Sequence, residues 1–228
     1  NVAGSVYDHV ITRNNSNTPQ TFTVTNDRGV DRQYYRSMAV KSLEFSVSDA
    51  LVEAKASLIG KFPITTTSGT LTTASGGLYS FGDARFAFGA TVAAAGSATN
   101  LKPHDMKLKI ENNTVATFRH GSYEPDTIDH GEFEATAEGS VYFETTTERD
   151  NYYNLDKQAA SFKLSGQGLG GGYSSSLEFR MYRTHFETFE LETGLSDFYA
   201  EKFTIRCDYD NANSKSIDAV LRNVRASY

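Results

Sequence analysis

The sequence has no tryptophan, only four prolines and a single cysteine, Cys207. One thiol cannot close an intrachain disulfide or build a thiolate zinc site, so a disulfide scaffold and a zinc ribbon are both excluded. Basic residues are also scarce: 22 Lys and Arg against 28 Asp and Glu leave a formal net charge of −6. A general nucleic-acid binder needs clustered cations to displace counterions from phosphate, and this balance argues against one. No run approaches the roughly 18 apolar residues of a membrane helix, and the first residues lack the basic-then-apolar order of a signal peptide. The expectation is a chain neither exported nor anchored in a membrane. What it does have is 13 Tyr and 15 Phe in 228 residues, enough chain to bury roughly 70% of its unfolded surface without covalent staples.

Alternation with period two dominates. Leu43, Phe45 and Val47 alternate with Ser42, Glu44, Ser46 and Ser48, and beyond Asp49 the apolar set Val52, Ala54, Ala56 and Leu58 faces away from Glu53, Lys55 and Ser57. Two half-buried antiparallel strands account for this. Phe86, Phe88, Ala90 and Val92 continue the pattern, as do Met106, Leu108 and Ile110 against Lys107 and Lys109, with a turn at Glu111-Asn112-Asn113 leading into Val115 to Phe118. The longest run is 132–144, where Phe133, Ala135, Ala137, Gly139, Val141 and Phe143 oppose Glu132, Glu134, Thr136, Glu138, Ser140, Tyr142 and Glu144. It predicts a long strand with one wet face. Further strands are predicted at 160–165, 177–183, 186–192, 202–210 (Phe203, Ile205, Cys207 and Tyr209 inward) and 216–224. One helix is predicted at about 146–157, from the capping-box spacing of Thr145 and Glu148 and from Tyr152, Tyr153 and Leu155 at spacings that a short helix could bury.

The reading is therefore mainly β: an antiparallel β-sandwich or barrel with one short flanking α-helix. Residues 1–33 are polar and broken and read as an N-terminal arm or edge; residues 34–228 read as one domain. Residues 65–80 form a Thr/Ser/Gly stretch long enough to be functional, and Thr66, Thr70, Leu71, Leu78 and Tyr79 are its candidate contact residues. The glycines of Gly166 to Ser175 read as a flexible connection, since no Lys-Ser/Thr and no helix follow to make a phosphate loop.

Candidates for chemistry are few. Glu132, Glu134, Glu138 and Glu144 share one strand face at spacings that a glycosidase carboxylate pair could use, but a sugar cleft without tryptophan is a poor one, and a solvated charged face is the simpler reading. His9, His104, His120, His130 and His185 are scattered, and His104–Asp105 and His130–Asp129, as strand neighbours, should point apart. No metal site and no cofactor are expected. Cys207 holds an apolar position in an alternating strand, which marks a small buried hydrophobe.

The order of segments carries a resemblance. His9, the Thr21-Phe22-Thr23-Val24 strand, the Tyr34 to Val47 run, Gly60-Lys61, the Tyr79 to Phe86 segment, Leu108-Lys109-Ile110-Glu111-Asn112-Asn113, His120 to Gly131 and the ending Leu221 to Tyr228 resemble the tail tube proteins of tailed bacteriophages. Arg36 stands where that pattern leads one to expect glycine. The resemblance implies a non-enzymatic virion protein whose hexameric rings stack into the tube that carries viral DNA during ejection. Its partners would be further copies of itself and other tail proteins (terminator, tip or baseplate, tape measure and, in a contractile tail, sheath), with DNA as unbound cargo. Its location would be the virion tail, after assembly in the host cytoplasm. Glu132, Glu134, Glu138 and Glu144 then become candidates for the lumen wall, and residues 65–80 for contacts between subunits or rings. Six copies would carry a formal charge of roughly −36. Two other classes fit the residues less well: a capsid-decorating or adhesin-like sandwich, and a glycan-active enzyme.

Overall fold

A computed structural model describes residues 6–13, 18–48, 50–66, 77–99, 101, 103–142, 146–193 and 199–226. The elements are β1 (Tyr7–Thr12), β2 (Phe22–Asp27), β3 (Arg32–Val47), β4 (Glu53–Ile59), β5 (Pro63–Thr66), β6 (Ala84–Gly89), α1 (Val92–Ser97), β7 (Pro103–Glu111), β8 (Val115–Phe118), β9 (Pro125–Asp129), β10 (Glu134–Tyr142), α2 (Thr147–Asn154), β11 (Gln158–Gly170), β12 (Tyr173–Thr193), β13 (Tyr199–Cys207) and β14 (Ile217–Asn223). Twelve strands join one antiparallel sheet that does not close into a barrel, and β8 and β9 form a separate hairpin.

β12 makes this sheet fold on itself. Its first half lies between β11 and β14, and its second half pairs with β13. One leaf therefore runs β6-β11-β12-β14-β1, and the other runs β12-β13-β10-β7-β3, with β4 on the outer edge of β3. The leaves face each other across an aromatic core. Phe45 of β3 meets Phe179 of β12 at 4.8 Å between centroids, and Phe86 of β6 stacks on Phe203 of β13 at 6.0 Å. Phe86, Phe162, Leu108, Leu164, Met181 and Ile205 are almost wholly enclosed, and each contributes about 1.5–3 kcal/mol by burial. The inward set of β10 is small, Ala135, Ala137 and Gly139, which leaves room for those rings. A Cβ at Gly139 would stand 2.7 Å from Phe203.

Several expectations are corrected. The alternation of 86–92 stops at Gly89, where the chain turns into α1. The Thr91 side chain accepts a hydrogen bond from the Ala94 N–H (3.2 Å), and a Cβ at Gly89 would collide with the Ala95 nitrogen at 2.4 Å. The alanines of this short helix satisfy either period, so the sequence pattern alone could not choose. The strands expected at 177–183 and 186–192 are one strand, β12, with a bulge between Phe186 and Thr188 that changes the parity. The glycine stretch after 165 is a paired hairpin, not a loose connection: Gly168 opposes Ser174 and Gly170 opposes Tyr173. Gly170, Gly171 and Gly172 turn it with φ of 87°, 60° and 80°, a region L residues disfavour.

Burial is also lower in places than the alternation implies. Ala54 and Ala56 on β4 are exposed, because β4 is an edge that no second layer covers among the described residues. Tyr209 lies beyond the end of β13 and is exposed. In α2 only Tyr152 packs, stacking on Phe189 at 5.8 Å, while Tyr153 and Leu155 face outward. Thr145, half of the expected capping box, lies outside the described residues. Thr146 precedes the helix, and its hydroxyl bonds to Asp150 (2.9 Å). Ser37, next to Arg36, adopts φ of 50°, so the special backbone position in that stretch falls one residue later.

Candidate functional site

The alternation that buries Phe45, Leu108, Ala137 and Ile205 turns a polar set outward on one broad face of the sheet. Strand register arranges that set in rows. One row reads Lys55, Glu44, Lys109, Thr136 and Arg206 across β4, β3, β7, β10 and β13; the next reads Glu53, Ser46, Lys107, Glu138 and Thr204. Opposite charges on neighbouring strands stabilise a sheet face by tenths of a kcal/mol each. Here they pair diagonally and along the strand as well: Lys107 with Glu44 at 3.3 Å and Lys109 with Glu111 at 3.0 Å. Hydrogen bonding to Glu111 raises the Lys109 pKa, and the charges of Glu111, Glu44 and Glu134 act in the same direction.

The candidate carboxylates fall on this face in different settings. Glu138 is exposed in β10 opposite Lys107. Glu134 is half-buried, 3.7 Å from Arg206, and Glu132, just before the strand, lies 3.9 Å from the same guanidinium. Arg206 also reaches Glu187 at 3.6 Å. The carboxylates are thus not a bare acidic row. Arg206, Lys107 and Lys109 are interleaved with them, a cross-strand relation that reading one strand at a time could not reveal. Glu144 lies outside the described residues.

Of the candidate contact loop, Thr70 and Leu71 lie outside the described residues. Thr66 ends β5 opposite Arg32. Leu78 is strongly exposed, and Tyr79 is half-buried beside Gly166, its carbonyl accepting the Val52 N–H at 2.9 Å. The stretch therefore starts at the pairing of β3 with β5 and returns beside the turn between β3 and β4, at the opposite end of β3.

Three interior polar groups add to this picture. Asp218, 3% exposed, accepts hydrogen bonds from Arg180 (2.7 and 2.8 Å), Tyr182 (2.8 Å) and Lys215 (3.1 Å). Burial pushes its carboxyl up, but these donors outweigh that and hold its pKa below the ordinary value. Glu201 is 1% exposed, and its Oε1 has no hydrogen-bond partner. Burial, with Glu148 of α2 adding to it against Arg149, pushes this carboxyl up to about 7. Its place was legible: two residues before Phe203, it falls on the inward parity of β13. Cys207 donates to the Ser216 carbonyl (3.1 Å), and burial pushes the thiol up to about 12, which suits a packing role.

His104 and Asp105 do not point apart as expected; Nδ1 and the carboxylate lie 3.4 Å apart near the start of β7. His130 lies 3.2 Å from the Thr114 hydroxyl, and burial lowers its pKa. Among the described residues no group of three or more His, Cys, Asp or Glu is placed to hold a metal ion, and no helix is long and apolar enough to cross a membrane.

What the molecule presents is a wide ion-paired face on a two-leaf β fold. The family model described as "phage tail tube protein" matches residues 6–196. The chain belongs to the phage tail tube protein family. That family is structural, and its place is the virion tail. No curated protein sequence matches the chain. Self-association and contact with other tail proteins are the interactions that the family suggests.

Proposed function

We propose that this chain self-assembles into stacked hexameric rings that form the tail tube, the conduit through which DNA is ejected into the host. The observation that carries this reading is the family match combined with the charged face of β3, β7, β10 and β13. On these four strands Glu44, Asp105, Glu111, Glu134 and Glu138 outnumber Lys107, Lys109, Lys202 and Arg206, and Glu190 of the adjoining β12 adds one more carboxylate opposite Lys202. In this reading the face, with Glu132, Glu134, Glu138 and Glu144, lines the lumen. Excess negative charge repels the phosphate backbone, and ion pairing keeps Lys107, Lys109 and Arg206 engaged with carboxylates instead of with DNA. A wall built this way lets a polyanion slide without holding it.

The remaining assignments follow from the same reading. Residues 1–33 serve as an arm or edge segment of a domain of residues 34–228, with β1 and β2 paired to its sheet. Residues 65–80, through Thr66, Thr70, Leu71, Leu78 and Tyr79, contact a neighbouring subunit or ring. Assembly takes place in the host cytoplasm, with terminator, tip and tape-measure proteins as further partners.

The lumen assignment is tested by reversing charge. Tubes of the Glu44→Lys/Glu138→Lys variant should retain short duplex DNA at low salt and release it as salt rises, whereas wild-type tubes should retain none. Equal retention by the two would remove the face from the lumen.

A further inference from the structure

The two leaves do not cover each other evenly. Where β14 and β1 face β3 and β7, a groove of about 550 Å³ opens between them and reaches Phe45 and Phe179. Leu43, Ile110, Leu177 and Ala219 sit on the inward parity of their strands, yet they are only half-buried because they line this groove. Inward residues elsewhere in the core, Leu108, Phe162 and Leu164 among them, are enclosed. A mainly apolar concavity of this size with a few polar groups at its rim is the usual form of a small-molecule site.

The uncompensated charge at the rim is of one sign. Arg13, an exposed residue just past the end of β1, holds its guanidinium 4.7 Å from the centre of the Phe133 ring. Among the described residues no carboxylate forms an ion pair with it, and the four residues that follow, Asn14 to Asn17, carry no charge. Two other titratable groups line the groove, Asp218 and His130. Asp218 accepts hydrogen bonds from both Arg180 and Lys215, so that cluster as a whole carries positive charge. His130 has its pKa lowered first by burial and then by the charge of Arg13, which keeps its ring neutral at pH 7. A chain of net charge −6 therefore keeps a cation without a counter-ion at the mouth of an apolar groove. The complement of that arrangement is an anionic head on an apolar body.

We propose that this groove binds an alkyl carboxylate, the ionised form of a free fatty acid. The alkyl chain lies between the leaves against Phe45 and Phe179, and the carboxylate pairs with Arg13. The guanidinium suits this head because its fork of N–H donors matches the two oxygens of a carboxylate. Leu43, Ile110 and Leu177 suit the chain because they offer apolar contact with no hydrogen bond left to satisfy. The site belongs to the single chain and is independent of the tube reading.

Calorimetric titration of the unassembled chain with octanoate, decanoate and dodecanoate tests it, with dodecanol as the uncharged counterpart. Carboxylate binding should tighten about fourfold for each methylene added. Arg13→Ala, a change at an exposed residue, should weaken dodecanoate about tenfold or more and leave dodecanol unchanged, and Arg13→Lys should recover part of the loss. Ala219→Phe, which fills the groove from β14, should abolish both ligands; if that variant does not fold, the response of the two ligands to Arg13→Ala decides alone. Failure of the wild-type chain to bind dodecanoate, affinity that does not depend on chain length, or an Arg13→Ala variant that treats dodecanoate and dodecanol alike would overturn the site.

Discussion

Glu201 offers a prediction whose size comes directly from its surroundings. Its carboxyl is buried near Glu148 and Arg149 of α2, with one oxygen unpartnered, and its pKa stands at about 7 against an ordinary 4.5. Each tenfold change in an ionisation constant corresponds to about 1.4 kcal/mol, so ionising this group in the folded chain costs about 3 kcal/mol more than in the unfolded chain. The sign follows from proton binding. Between pH 4.5 and 7 the folded chain holds the proton and the unfolded chain has released it, so stability falls as pH rises through that window and levels off above it. Glu201→Gln removes the ionisation. Urea unfolding of the unassembled chain, followed by circular dichroism from pH 4.5 to 8, should show the variant gaining on the parent by about 2–3 kcal/mol between the two ends. Taking the difference cancels other titrations such as that of His130, whose lowered pKa acts in the opposite direction. An unpaired buried amide adds a constant offset without altering the slope. Parallel curves for variant and parent would refute the reasoning and place Glu201 in contact with water.

Three further outcomes are expected. Asp218→Ala leaves Arg180 and Lys215 without their shared carboxylate and should destabilise the chain by about 3–5 kcal/mol in the same unfolding assay, whereas the exposed pair Lys55–Glu53 should cost under about 1 kcal/mol when broken. Gly139→Val should cost about 1–3 kcal/mol, since its side chain would meet Phe203 and Met106 at 2.7 and 3.1 Å; a neutral result would mean that these two neighbouring side chains move aside easily. Cys207 should resist a thiol reagent at pH 8 until the chain is unfolded, because burial holds its pKa at about 12; rapid labelling of the folded chain would contradict the packing.

The residues that announced the fold most clearly were those whose neighbours repeat a single rule. β10 was legible because alanine, glycine and valine alternate with acids and hydroxyls, and β3 because Leu43, Phe45 and Val47 do the same against Ser and Glu. Legibility failed where local pattern and long-range pairing diverge. Val92 to Ser97 fits either period, and only the approach of Ala95 to Gly89 settles it as helix. The bulge in β12 looks like a break along the chain, yet pairing with β13 continues past it. The glycines of 166–172 suggest looseness until Tyr173 and Ser174 are seen paired to them. The charged face shows the same limit. Its carboxylates could be read from one strand, but Arg206, Lys107 and Lys109 join them only through register between strands distant in sequence. Glu201, by contrast, was within reach, since parity alone puts it beside Phe203 and Ile205.

The central claim is that the wet face of β3, β7, β10 and β13 forms the inner wall of a tube of stacked hexameric rings. Electron cryomicroscopy of tubes assembled from the purified chain tests it most directly. The account predicts a hollow filament of six-fold rings with Glu44, Glu134 and Glu138 directed at the channel. Discrete small oligomers, or a tube whose channel is lined by the opposite leaf with those carboxylates on the outside, would contradict it.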